Sequence, residues 1–243
     1  FQGKNVNAGS VTTFQKVAVV SENRVTKFPG SDINCSDILL GCAAPTGMGA
    51  VKKVLNASSK QSVAVFGVGG IGLCAILMAK ELGLNPIIAI DNSNQRLGIA
   101  SKCGATKVFN AKDTRSTNDI SSCCDGGFDF VVEGTGNIRV METVMDHLRI
   151  KGGKAVIVGN ASHNSSFSIS PKDFNSGKSI LGTWGGDSLP DEDFELYYQI
   201  LYKNRKNLGG LSTRRYSLSS INTAINSMRN LIEARPIIDM SIN

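Results

Sequence analysis

The sequence predicts an α/β fold built on a doubly wound parallel sheet of about six strands. From residue 62 onward, short apolar runs alternate with stretches of helical periodicity, which is the pattern of stacked βαβ units. The runs are continuously apolar, as in strands that are buried on both faces of a parallel sheet. A glycine-rich segment, GVGGIG at residues 67–72, lies where the first of these strands meets the first helix.

The individual elements follow from the apolar runs and from the residues that interrupt them. The predicted strands span residues 63–66, 86–90, 106–109, 128–132, 154–158 and 179–183, and the predicted helices between them span residues 71–82, 93–102, 113–122 and 138–148. Gly83 and Gly104 end the first two helices, and Ser93 is a candidate N-cap. Right-handed crossovers then place helices on both faces of a sheet of Rossmann type.

The segments that flank this unit are too short to form a separate domain. We expect a strand at residues 13–20, a short helix or loop at 36–40, helices at 190–208 and 219–231, and a last strand at 236–240. We interpret them as pieces of a second domain that the Rossmann unit interrupts. The predicted divisions are a remnant of that domain at 1–45, the Rossmann domain at 46–183 and a C-terminal return into the second domain at 184–243. Residues 1–3 are typical of a cleaved expression tag.

Composition excludes several classes of protein. With 41% hydrophobic and 19% charged residues among 243, the chain is ordinary globular protein. The net charge is +6, but the basic residues are spread along the chain and no aromatic residues alternate with them, so we expect no nucleic-acid partner. No apolar run approaches 18 residues, so we expect no membrane span. The six cysteines form no CxxC pair, and we expect reduced thiols in a cytoplasmic protein.

The glycine-rich segment has the spacing and the context of a dinucleotide-binding turn. Gly67 permits the tight turn, Gly69 lets the backbone approach a pyrophosphate, and Gly72 allows the helix to pack closely on the sheet. The helix that begins here offers N–H groups and a partial positive charge to the phosphates. The sequence therefore predicts dinucleotide binding by residues 67–72.

Asp91 indicates which dinucleotide the site prefers. It ends the second strand 19 residues after Gly72, where a carboxylate can bind both hydroxyls of a ribose. A 2′-phosphate at that place would meet a like charge, which favours NAD over NADP. Asn92 and Ser93 are not basic, and Arg96 lies one turn into the next helix, within reach of the adenosine ribose.

Several motifs, in order and at matching spacing, resemble the medium-chain, zinc-dependent alcohol dehydrogenases. They are residues 39–50 (LLGCAAPTGMGA), 63–73, 90–91, 100–106 (ASKCGAT), 129–136 (DFVVEGTG), 153–159 and 235–238 (RPII), with an upstream strand at 10–20. The resemblance covers the chain from about residue 9 to its end. It implies a hydride transfer that converts an alcohol to an aldehyde or ketone, with zinc activating the alcohol oxygen.

The resemblance also assigns roles to particular residues. It places Cys42 at the third ligand of the catalytic zinc, Thr46 and Ile71 against the nicotinamide ring, and Arg235 on the pyrophosphate. Val158, Gly159 and Asn160 match the stretch that contacts the carboxamide. The expected cofactor-binding set is Thr46, Gly67, Val68, Gly69, Gly70, Ile71, Gly72, Asp91, Arg96, Val158, Gly159, Asn160 and Arg235.

One departure from the family concerns the zinc site. A catalytic zinc needs three protein ligands, and the family's other two belong to a segment that precedes the first residue here. We expect both histidines, His147 and His163, to be solvated surface residues. We therefore expect a chain that binds NAD but is a catalytically incomplete part of a dehydrogenase, with no catalytic residue of its own and zinc incomplete.

Two alternatives and one partner complete the sequence interpretation. The chain could instead be a non-catalytic NAD-binding module, or a zinc-free quinone or enoyl reductase of the same superfamily. Cys42 and Asp91 together oppose the second alternative. The family's last sheet strand, at residues 174–183 here, pairs with its twin across a two-fold axis, so the resemblance implies a homodimer. A small alcohol or aldehyde is the expected substrate class, and its identity is not readable.

Overall fold

The computed structural model describes residues 11, 13–113, 119–120, 122–211, 214–230, 232–233 and 235–242. Its centre is a six-stranded parallel sheet, as the apolar runs predict. The strands are β1 (Val63–Phe66), β2 (Ile87–Asp91), β3 (Lys107–Asn110), β4 (Phe130–Glu133), β5 (Lys154–Ile157) and β6 (Ser179–Gly182). Their order in the sheet is β3-β2-β1-β4-β5-β6. The chain therefore reverses direction across the sheet between β1 and β4, where ligands bind in doubly wound folds.

Helices cover both faces of the sheet. We label them α1 (Ala43–Gly49), α2 (Gly70–Glu81), α3 (Asn94–Cys103), α4 (Ile138–Thr143), α5 (Pro171–Asn175), α6 (Pro190–Leu208) and α7 (Ile221–Arg229). Strand β1 divides its side chains between two cores, with Val63 and Val65 in one and Ala64 and Phe66 in the other. The first core contains α1, α2, α3 and α6, and the second contains residues of β2, β4 and β5 together with Val144, Met145 and Leu148, which follow α4.

Helix α2 is buried from Gly72 to Ala79 because other helices pack over it on the face away from the sheet. Gly47 makes the approach of α1 possible, since a Cβ there would lie 2.2 Å from the carbonyl oxygen of Ile71. The segment after α1 is tied to α6 by an ion pair between Lys53 and Asp193. Helix α6 begins at Pro190, as predicted, and carries acidic residues in its first turn.

The flanks contain little regular structure. The predicted strand at residues 13–20 is wrong, because its described residues form bends and irregular backbone and Val17 and Val19 are exposed. A strand is stable only when a neighbour accepts and donates its backbone hydrogen bonds, and within the described residues none does so here. Near the C-terminus, β7 (Arg215–Tyr216) and β8 (Ile237–Ile238) form a two-stranded parallel sheet.

The helix predicted at 138–148 ends at Thr143, because Phe128 pairs with Leu148 and its N–H donates to the carbonyl of His147 at 2.8 Å. The helix predicted at 113–122 falls largely outside the described residues. Within the part of the chain that the structure describes, no helix has both the length and the apolar composition for crossing a membrane.

All six cysteines are free thiols. Cys74 and Cys103 are buried in the first core, and burial raises the pKa of both. The pKa of Cys103 rises to about 11, with Lys80 acting in the opposite direction. These two thiols are therefore packing residues and not nucleophiles at neutral pH.

Candidate functional site

The glycine-rich turn lies at the carboxyl end of β1, held between its two neighbouring strands. The N–H of Gly67 donates to Ile90 at 2.8 Å, and the N–H of Gly134 donates to Phe66 at 2.8 Å. Gly67 has φ +84°, a conformation that glycine adopts at no steric cost. A Cβ on Gly72 would lie 2.0 Å from the carbonyl oxygen of Gly67, so helix and turn touch there.

Gly69 differs from the other glycines of the turn. A Cβ built on it would meet no heavy atom of the described residues within 4 Å, although it caps the N-terminus of α2. The space above it is therefore open to a ligand. The first turn of α2 directs N–H groups that lack helical partners toward this space, with a partial positive charge.

Asp91 lies beside the turn at the end of β2 and is buried. Its Oδ2 accepts the N–H of Val68 at 2.9 Å, and its Oδ1 accepts the N–H of Ser93 at 2.9 Å. Arg96 of α3 places Nη1 3.8 Å from Oδ2. Each carboxylate oxygen can accept further bonds, so the fixed carboxylate can still take hydroxyl donors.

These residues surround a cleft of about 560 Å³ at the carboxyl edge of the sheet. Of the residues predicted for the site, Gly67, Gly69, Asp91 and Arg96 line it. The lining residues that the sequence interpretation missed are Phe66, Ile90, Asn92, Ala111, Ile120, Gly134, Thr135, Asn137, Arg139, Val140, Thr143 and His147. Those after β4 could have been found, because β4 borders β1 at the point where the strand order reverses.

His147 is the largest departure from the predicted site. We expected a solvated surface histidine, but it is 1% exposed at the cleft, with its ring 5.0 Å from that of Phe66. The pairing of residue 148 with Phe128 turns the chain inward here and buries the imidazole. Desolvation lowers the pKa of His147, and the charge of Asp146 opposes this. His163 is exposed, as predicted.

The other predicted contacts lie around the turn but do not line this cleft. Thr46 and Ile71 lie on α1 and α2, which touch through Gly47. Gly159 lies against the loop after β4, since a Cβ there would be 2.2 Å from the N atom of Gly136. Arg235 reaches the start of α2, with Nη1 3.1 Å from a Cβ built on Gly70.

The described residues fit a dinucleotide, but not a zinc ion. The open space at Gly69, the arginine at the start of α2 and the fixed carboxylate of Asp91 match the phosphates and ribose of such a ligand. Cys42 is exposed before α1. Among the described residues, no three histidine, cysteine or acidic side chains lie close enough together to hold a metal. Cys42 is therefore at most one ligand of three.

The fold and the strand order place the chain among dinucleotide-type Rossmann proteins. A profile of the zinc-binding dehydrogenases matches residues 70–202, more than half of the 243 residues. The chain therefore belongs to this family, the medium-chain zinc-dependent alcohol dehydrogenases.

Relatives in this family include curated proteins and solved structures. Class-P alcohol dehydrogenase of Arabidopsis thaliana is 30% identical over 232 residues, which are 94% of this chain and 61% of the relative. S-(hydroxymethyl)glutathione dehydrogenase of Saccharomyces cerevisiae is 30% identical over 225 residues, 90% of this chain and 58% of the relative. The structure of benzyl alcohol dehydrogenase from Acinetobacter calcoaceticus aligns with a TM-score of 0.81 and 33% identity, covering 91% of this chain and 61% of that one. The chain thus spans about three fifths of the length of these relatives.

Proposed function

We propose that this chain binds NAD in the cleft beside the glycine-rich turn and is the NAD-binding portion of a zinc-type alcohol dehydrogenase. The observation that carries the proposal is the carboxylate of Asp91, which is held by the N–H of Val68 at the mouth of the cleft. The bond couples the ribose-binding group to the phosphate-binding turn. A dinucleotide that touches one of them is thereby aligned on the other.

We propose NAD, not NADP, because the buried Asp91 carries a negative charge where a 2′-phosphate would lie. Arg96 does not reverse this preference, since its guanidinium faces Asp91 and part of its charge is compensated there. Arg139 also lines the cleft, but it is exposed. It lies on α4, which follows β4, and β4 borders β1 on the side opposite β2. We assign it to the rim of the adenosine end.

We propose that the nicotinamide half lies on the other side of the turn. Thr46 and Ile71 come from the touching helices α1 and α2, and Val158, Gly159 and Asn160 follow β5. Arg235 supports a role at the pyrophosphate, because its guanidinium lies at the start of α2 beside Gly70. The remaining members of the site are the backbone groups of residues 67–72.

For the whole enzyme we propose the oxidation of a small alcohol to an aldehyde or ketone. Bound NAD⁺ supplies the hydride acceptor, and the protein supplies orientation and electrostatics. Cys42 is the residue that we propose for zinc, with its partners outside the described residues. We also propose that the chain divides into domains at 1–45, 46–183 and 184–243. The free thiols support a cytoplasmic location. The proposed assembly is a homodimer that forms through β6.

Titration of the purified chain with NADH and, separately, with NADPH tests the proposed function. We expect saturable enhancement of NADH fluorescence and at least about tenfold weaker NADPH binding, which corresponds to about 1.4 kcal/mol. Asp91→Asn, which keeps an acceptor for the N–H of Val68, is the matched variant, and it should bring the two affinities together. Equal or tighter NADPH binding by the unaltered chain would refute the NAD assignment, and a lack of saturation with either probe would refute dinucleotide binding.

A further inference from the structure

Glu133 is a buried acidic residue at the carboxyl edge of the sheet, and the proposed function gives it no role. It is the last residue of β4, between Phe66 of β1 and Ile157 of β5, and its exposed fraction is 0%. A charged group so completely buried is rare unless it is paired. The surroundings of Glu133 therefore indicate what its carboxyl group does.

One oxygen of Glu133 holds the loop after β4. Its Oε1 accepts the N–H of Thr135 at 2.8 Å, the N–H of Gly136 at 3.2 Å and the hydroxyl of Thr135. These neutral donors stabilise a carboxylate without cancelling its charge. The bonds fix residues 134–136, and Gly134 and Thr135 line the cleft.

The other oxygen has no such partners. Within the described part of the chain, Oε2 makes no hydrogen bond, and no salt bridge involves Glu133. It faces Gly159, where a Cβ would lie 2.6 Å from Oε2. This oxygen of Glu133 thus lies against residue 159, shielded from water and without a salt-bridge partner among the described residues.

The same residue also holds the segment that we propose for the carboxamide. The carbonyl oxygen of Glu133 accepts the N–H of Val158 at 2.9 Å and that of Gly159 at 3.0 Å. The backbone of Glu133 therefore positions this segment, while its carboxylate lies against it. In the proposed binding mode the nicotinamide ring contacts residues 158–160, and the carboxyl group of Glu133 therefore lies close to the ring.

NAD⁺ and NADH differ at that ring, because the oxidised ring carries a positive charge and the reduced ring does not. A buried anion nearby interacts with this charge at a low effective dielectric constant, so water and salt screen the attraction little. We propose that Glu133 is a specificity-determining residue that makes the site favour NAD⁺ relative to NADH. The inference rests on the proposed dinucleotide function.

The test compares the dissociation constants of NAD⁺ and NADH in the unaltered chain and in Glu133→Gln. NADH binding is measured by fluorescence, and NAD⁺ binding by competition with NADH in the same buffer. Loss of the charge should raise the ratio Kd(NAD⁺)/Kd(NADH) about threefold to tenfold, mostly through weaker NAD⁺ binding. Glu133→Met is made in parallel, and circular dichroism melting identifies which variant folds.

Two control variants separate the charge from the geometry. Glu142→Gln removes the same charge from an exposed position of α4, and it should leave the ratio unchanged. Thr135→Val removes a hydroxyl bond to Oε1 but keeps the charge, so it should alter both constants alike. The inference would be overturned if the ratio is unchanged in the Glu133 variants, or if Thr135→Val changes the ratio as much as they do. If the unaltered chain binds neither probe, the proposed function itself fails, and this result differs from an unchanged ratio.

Discussion

Asp91 shows how one side chain joins two parts of the proposed binding site. Its carboxylate accepts N–H groups from Val68 in the glycine-rich turn and from Ser93 ahead of α3. Hydrogen bonds to an ionised acceptor contribute more than neutral ones, so Asp91 supports the turn as well as facing the cleft. A substitution of Asp91 should therefore affect ligand binding more than the fold on one condition. The new side chain must still accept the N–H of Val68.

Asp91→Asn keeps such an acceptor and removes the charge. We expect NADH to bind about tenfold to a hundredfold more weakly, because charged hydrogen bonds to the ribose contribute about 1.5–3 kcal/mol. NADPH affinity should be unchanged or higher, since the repulsion of the 2′-phosphate is gone. Fluorescence titration measures both, and a parallel loss for the two probes would contradict the assigned role.

Two glycines of the turn should separate ligand binding from stability. Gly69→Ala adds a methyl group to open space, so the melting temperature should be little changed while NADH binding is weakened at least about tenfold. Gly72→Ala places its methyl group 2.0 Å from the carbonyl oxygen of Gly67 and should destabilise the fold by about 1–3 kcal/mol. Circular dichroism melting and fluorescence titration of both variants check this. Normal NADH binding by folded Gly69→Ala would show that the ligand does not lie there.

His147 should make the stability of the chain depend on pH. Burial lowers its pKa, so the unfolded state, with an ordinary pKa near 6.5, binds the proton first on acidification. The contribution of the neutral imidazole is complete above about pH 6.5 and is lost as the pH falls toward the folded-state pKa. Urea unfolding of His147→Gln between pH 7 and 5 should show a smaller loss of stability than the unaltered chain. His163→Gln, which changes an exposed histidine, should match the unaltered chain.

At the scale of elements, the sequence predicted what local periodicity determines and missed what tertiary pairing determines. Helix α3 begins after Ser93, whose hydroxyl accepts the N–H of Arg96 at 3.4 Å, as the capping pattern indicated. Helix α4 ends before its apolar pattern does, because the backbone of Leu148 pairs with that of Phe128. That contact spans 20 residues and leaves no local signal, so the burial of His147 was not predictable.

The segment that carries Arg235 returns the end of the chain to the start of α2. Because its guanidinium lies beside Gly70, Arg235→Gln should weaken NADH binding about fivefold to tenfold and reduce the salt dependence of the affinity. The melting temperature should change little, since the side chain is half-buried and its removal leaves no large cavity. Arg229→Gln changes an exposed arginine of α7 and is the control. Equal effects of the two variants would show general electrostatics and no phosphate contact.

For the whole molecule, the six sheet strands were readable because both faces of the sheet are covered within this chain. The strand expected at residues 13–20 was not, since strand formation depends on a neighbour that residue patterns do not reveal. Val19 is 102% exposed there, and Ile33 is 79% exposed. The glycine-rich turn and Asp91 were predictable from their spacing in the sequence. The cleft-lining residues that follow β4 could be predicted only once the order of the strands in the sheet was known.

Among the described residues, no strand pairs with the outer edge of β6, and this open edge bears on the assembly of the protein. Strand β6 ends the sheet, and Trp184, two residues beyond it, is 96% exposed. An open strand edge beside an exposed aromatic residue favours pairing with a second copy, which continues the sheet across a two-fold axis. We expect light scattering to give a dimer of about twice the 25.8 kDa chain. Trp184→Glu should raise the dimer dissociation constant at least about tenfold, whereas Tyr202→Glu, at an exposed position of α6, should not. A monomer at all concentrations would refute the homodimer.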